Sequence, residues 1–219
     1  MIKLLKLLYP LHRTLVSDGT DEAISIIKKS LRVGKSCIEE YEVGSKAWTW
    51  TVPPRFKVNK AVLSDEDGKI YADFKINPLY LWSYSIAKDI KVTWSELDKH
   101  LYTSKVRPHA IPWYFKFYDK NWGFCIEYDK YKNMPQDKMY DVCIDVEFLQ
   151  NPGLKILTNF IDYGAKTELM ICTNICHPYQ VNDSITGVVC AVELNKRLKD
   201  RPVKDPTLNI NFLFCPETI

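Results

Sequence analysis

ELMICTNICHPYQVNDSITGVVCAVELNKRL, residues 168–198, decides how this chain is read. Its apolar opening predicts a buried strand, its polar middle a turn holding His177, Asn182 and Asp183, and its end an amphipathic helix from Ser184 to Leu198. A strand that feeds a helix through a short loop leaves the loop's side chains over the strand's carboxyl end, where open α/β sheets place ligands. A second apolar strand, Leu208 to Phe214, is soon followed by a carboxylate, Glu217. Strand, helix and strand in that order predict a β-α-β unit with parallel strands and a right-handed crossover.

Toward the amino terminus, MIKLLKLLYPLHR sets leucines among lysines and stops at Pro10. It reads as a short docking helix, without the apolar length of a signal peptide or membrane span. Asp18-Gly19 marks a turn, Thr20 a cap, and Ala23, Ile26, Ile27 and Leu31 recur at helical spacing. Cys37 to Val43 predicts a strand. From Trp48 the pattern shifts to short β segments. It includes a hairpin about Asp67-Gly68, a short helix capped by Thr93 or Ser95, and an alternating strand through Tyr140, Val142, Ile144, Val146 and Phe148. LKILTNF, residues 154–160, is expected to complete a hairpin with that strand. The expected organisation is an α/β domain in two pieces, 1–46 and 160–219, interrupted by a β-rich insertion, 47–159.

Composition narrows the function. A hydrophobic fraction of 46% with 26% charged residues is that of a soluble globular protein, and 30 basic against 27 acidic residues, interspersed, gives no footprint for nucleic acid. The seven cysteines are an odd number, several inside apolar runs, which indicates small buried hydrophobes in a reducing compartment. With no span for a membrane, a cytoplasmic protein is expected. The aromatics between Trp82 and Phe124 fit either the core of a β domain or a carbohydrate or peptide platform.

The candidate chemistry rests on few residues. His177 offers an imidazole and Asp183 a carboxylate, a pair suited to zinc, which generally requires a third protein group. Against this, His177 would serve as a hydrogen-bonding loop residue and Asp183 as a helix N-cap. Glu217 is the candidate general base, or else an exposed terminal acid. Cys172 and Cys176 lack the second close pair of a cysteine-ligated zinc site, and Cys176 beside His177 would point away from it in an extended strand. No serine nucleophile elbow and no phosphate-binding glycine loop is present.

LVSDGTDEAI, WTVPPRFKVNKAVLSDEDGKIYADF, NPLYLWSYS, HLYT, AIPWYFKFY, WGFCIEY, ICHPYQVNDSITGV and FLFCPETI together resemble the aminopeptidase-like proteins related to the M28 zinc peptidases, of the DUF4910 and DUF2172 kind. The resemblance is to the amino-terminal portion of those proteins, which are often encoded near polysaccharide biosynthesis genes. It implies an α/β fold, a phosphorylase/hydrolase-like three-layer sandwich with an inserted β domain, incomplete at its carboxyl end. It implies that His177 is a metal ligand, Asp183 a carboxylate bridging two metals, and Glu217 the general base. It also implies one or two zinc ions, an amide or peptide substrate, and a homo-oligomer or a complementary chain. Two positions depart from the pattern: Thr218 stands where a metal-binding glutamate is usual, and His177-Pro178-Tyr179 replaces His-x-Asp. The other expectation is a noncatalytic binding or scaffold module working through its aromatic-rich insertion.

Overall fold

In the computed structural model, which describes residues 1–47, 49–200 and 207–217, the chain opens with α1 (Ile2–Leu8), α2 (Asp18–Ser30) and β1 (Lys35–Tyr41). A small ribbon follows, β2 (Lys46–Ala47) and β3 (Trp50–Thr51), then β4 (Arg55–Asp65), β5 (Ile70–Asp73), β6 (Lys88–Thr93) and α3 (Trp94–Leu97). After β7 (Leu101–Tyr102), β8 (Phe124–Cys125) and α4 (Tyr128–Tyr131) come the long β9 (Met139–Leu149) and β10 (Leu154–Ile161). The chain closes with β11 (Thr167–Asn174), α5 (Thr186–Asp200) and β12 (Leu208–Cys215). Two compact units result, Met1–Arg55 with Gln150–Ile219, and Phe56–Leu149.

The first unit is built on a four-stranded sheet of order β1-β10-β12-β11. β11 and β12 are parallel, paired from Thr167↔Leu208 to Asn174↔Cys215, with α5 as their crossover, so both strands deliver their carboxyl ends to one edge. Alternation along β12 turns Phe212 and Phe214 toward the helices, where Leu8, Ile24, Ile27, Val188 and Val192 close the core over them. The Ser17 hydroxyl caps α2 by accepting from the Thr20 amide, so the cap lies ahead of the expected Thr20. Asp18 and Asp21 in its first turn and Lys28 and Lys29 in its last complement the helix dipole. Buried Asn195 ties α5 inward: its carboxamide accepts from Arg32 N at 2.7 Å and donates to Asn159 Oδ1 at 2.9 Å.

Three sequence expectations change here. The run Leu169 to Ile175 is not a buried strand: β11 is the outer strand of its sheet, with Leu169 and Met170 exposed. LKILTNF does not complete a hairpin in the insertion, because β10 pairs antiparallel with both β1 and β12. The helix starts at Thr186 rather than Ser184, preceded by a wide turn, Val181–Ile185. Among the described residues, helices pack on one face of this sheet.

The second unit holds a sheet of order β5-β4-β9-β6. Tyr140, Val142, Ile144 and Val146 of β9 face a core shared with Phe56, Leu63, Tyr84, Trp122 and Phe124. The β4–β5 turn uses Gly68 at φ 82°, a left-handed conformation that glycine adopts without strain. Its Asp65 carboxylate gathers the Lys69 amide at 2.9 Å and the Tyr71 hydroxyl at 2.9 Å. Thr93 caps α3. Most of the aromatic run is therefore core, while Tyr102, Phe115 and Tyr118 are exposed.

Candidate metal and catalytic site

Pairing between β11 and β12 persists beyond both strand ends. The Ile175 amide donates to Cys215 O at 2.8 Å and the Cys176 amide to Pro216 O at 3.0 Å, which carries Glu217 alongside His177. His177 Nε2 lies 4.0 Å from Glu217 Oε2. Cys176 joins them: the ligand atoms of Cys176, His177 and Glu217 all lie within 4.8 Å of one another. The alternation that would separate adjacent side chains no longer applies, because β11 has already ended at Asn174. Glu217, though near the end of the sequence, is not a free surface acid; its side chain is 25% exposed.

Buried Arg13, which the sequence did not mark, organises the loop. Its Nε donates to Leu8 O at 2.9 Å, its Nη1 to Ile175 O and its Nη2 to His177 O. The Ser184 hydroxyl lies 2.5 Å from both Asn174 O and Cys176 O, and the Tyr179 amide donates to Tyr9 O at 3.0 Å. The Cys176-His177 and Asp183-Ser184 peptides are cis. Asp183, at φ −117° and ψ 89°, interrupts the wide turn and stands exposed ahead of α5, so it is not that helix's cap. It lies outside the tight cluster, yet its charge acts on Cys176, His177 and Glu217.

These surroundings set protonation. Burial, aided by the Arg13 charge and opposed by Asp183, lowers the His177 pKa and keeps its imidazole neutral, the form that ligates metal. Burial and then Asp183 raise the Glu217 carboxyl, the direction useful to a general base. Burial, then Glu217, pushes the Cys176 thiol well up, which disfavours the thiolate needed for cysteine nucleophilic chemistry. Tetrahedral zinc with bonds of about 2.0–2.3 Å sets its ligand atoms roughly 3.3–3.8 Å apart. The His177 imidazole is the clustered donor that suits such an ion; its 4.0 Å separation from Glu217 is wider than that of two ligands on one zinc, and the Cys176 thiol is held protonated.

Residues 55–147 match the family described as a domain of unknown function, DUF2172. A Clostridium acetobutylicum protein, named for polysaccharide biosynthesis and an aminopeptidase-like domain, is 31% identical over 216 residues, covering 99% of this chain and 48% of that protein. A crystal structure described as a peptidase from the same species matches at TM-score 0.88 and 29% identity, over 99% of this chain and 49% of that one. The chain carries a DUF2172 domain over residues 55–147 and, along nearly its whole length, is similar to a protein named for an aminopeptidase-like domain. It spans about half the length of these relatives. The Bacillus subtilis zinc aminopeptidase BSAP shares the fold at TM-score 0.61 and 12% identity, over 97% of this chain and 59% of BSAP. Thr218, where the resemblance departs from the peptidases, lies outside the described residues.

The thiols give a direct check on the site's burial. Cys172 and Cys215 approach to 3.9 Å between sulfurs, and burial with Cys172 as neighbour pushes the Cys215 thiol up to about 12. Iodoacetamide at neutral pH is expected to label exposed Cys37, Cys172 and Cys190 and to spare Cys125, Cys176 and Cys215, as read by peptide mass mapping. Labelling of Cys176 as fast as Cys37 would contradict the buried site.

Proposed function

We propose that this chain is a zinc-dependent, aminopeptidase-like hydrolase acting on an amide or peptide bond. The observation that supports this best is the convergence of His177 and Glu217 at the carboxyl ends of two parallel strands, with Asp183 close enough to bias both. His177 and Asp183 would hold one or two zinc ions, and Glu217 is the catalytic base. Zinc bound there would polarise the scissile carbonyl and acidify the attacking water. Glu217 accepts a proton from that water and passes it to the leaving amine, a task suited to its raised pKa. Arg13 holds the His177 backbone through the His177 carbonyl, fixing where the imidazole starts. The core then belongs to a phosphorylase/hydrolase-like sandwich, and the protein works in the cytoplasm.

The substrate is a peptide or an amide-containing small molecule. The exposed Leu169 and Met170 on the outer strand support assembly with a second copy or a complementary chain. A noncatalytic binding or scaffold module is the second reading, favoured by exposed Tyr102, Phe115 and Tyr118. Turnover of a panel of aminoacyl and peptidyl amides by zinc-replete protein separates the two. The hydrolase reading expects activity that is lost on chelation and restored by zinc. Absence of turnover with every amide, alongside retained peptide binding, would support the module.

A further inference from the structure

Two thiols, those of Cys172 and Cys215, take no part in the hydrolysis proposed for this chain. Cys172 lies on β11 and Cys215 ends β12. The register pairs Cys172 with Leu213 and Asn174 with Cys215, so the two cysteines are diagonal neighbours on the sheet face turned away from Phe212 and Phe214. Their sulfurs are 3.9 Å apart. Cys172 is exposed, whereas Cys215 is buried. An oxidant in solution therefore meets the Cys172 sulfur first and finds a second sulfur in contact behind it.

We infer that Cys172 and Cys215 form a reversible dithiol–disulfide site that reacts with hydroperoxides. Cys172, as thiolate, attacks one peroxide oxygen; the O–O bond breaks, the sulfur is oxidised to a sulfenic acid, and the other oxygen takes up a proton and leaves, as water when the peroxide is hydrogen peroxide. The Cys215 sulfur then attacks that of Cys172. The S–S bond forms as the S–O bond breaks, and the hydroxyl leaves with the Cys215 proton as a second water. Two thiols and one hydrogen peroxide thus give one disulfide and two waters. The sulfurs must close from 3.9 Å to bonding distance, a movement open to side-chain rotation and a small shift of β11, the outer strand. The site stands on the placement of the thiols and needs neither zinc nor turnover. Its bond would staple β11 to β12 just ahead of the segments that carry His177 and Glu217.

Treatment of the chain with hydrogen peroxide, then alkylation and peptide mass mapping without reductant, tests this, with fragmentation of any linked species to assign its sulfurs. Cys172 and Cys215 are expected to be recovered joined within a single chain, and dithiothreitol to restore both thiols. Cys37 and Cys190, also exposed, are the controls, expected to oxidise without that link. Cys215→Ser should abolish the link and drive Cys172 on to the sulfinic acid. Cys172→Ser, a change at an exposed position, should leave Cys215 a reduced thiol, and it tests the pair even where the buried substitution unfolds the chain. Separate recovery of Cys172 and Cys215 at a peroxide level that oxidises Cys37 would overturn the pair. So would a bridge from Cys215 to Cys176, or oxidation of Cys215 that proceeds as readily in Cys172→Ser.

Discussion

Glu217→Gln is expected to lower kcat/KM of the zinc-loaded chain on an aminoacyl amide by roughly 10²–10⁴-fold while leaving its zinc content unchanged. Glutamine keeps the shape and the hydrogen-bonding reach of glutamate but cannot take a proton from water. A residue acting only by position would lose far less in this exchange. The same carboxyl is expected to set the pH profile. Burial and Asp183 raise its pKa, so the base form is lost, and activity with it, as pH falls through a value above the ordinary glutamate range. The acid limb of kcat/KM is expected there, and Glu217→Gln should remove it. A variant within threefold of the unsubstituted protein would contradict the assignment.

Arg13→Ala is expected to destabilise the fold by about 3–5 kcal/mol, read from urea denaturation midpoints. The guanidinium is fully buried and donates to three backbone carbonyls, those of Leu8, Ile175 and His177. Burial pushes its pKa down to about 10, which leaves it charged at neutral pH. Truncation strips three buried acceptors of a charged donor, and each unsatisfied acceptor costs about 1–3 kcal/mol before water relieves part of it. Arg13→Lys restores the charge without the planar fork, so it recovers only a fraction. Because one of the three acceptors belongs to His177, zinc affinity should fall with stability. A loss below about 1 kcal/mol would show that water replaces the guanidinium without penalty.

How much of this was legible in the sequence depends on the range of the interaction. The β11–α5–β12 unit was readable because apolar runs, a polar turn and helical spacing are local signals, and its two strands do pair in parallel. Alternation in β9 and the Asp67-Gly68 hairpin were readable for the same reason. Partner choice was not. LKILTNF carries no mark that sends it to β1 and β12 rather than to β9, and the exposure of β11 follows from its place at the sheet's edge. At the site, His177 and Glu217 were named from their positions after strands, and the structure brings them together. Asp183 was named too, and it stands nearby but exposed. Strand alternation argues against Cys176, but β11 ends at Asn174, two residues before it. Arg13 gave no signal at all, since its partners are carbonyls more than a hundred residues away, apart from Leu8.

Zinc content tests the central claim most directly. Elemental analysis of protein purified without chelator or a metal-binding tag, beside His177→Ala and Asp183→Ala, is expected to find near-stoichiometric zinc in the unsubstituted chain and its loss in both variants. A folded, zinc-replenished chain that retains no zinc, or a His177→Ala variant that retains all of it, would contradict the metal site on which the hydrolase reading stands.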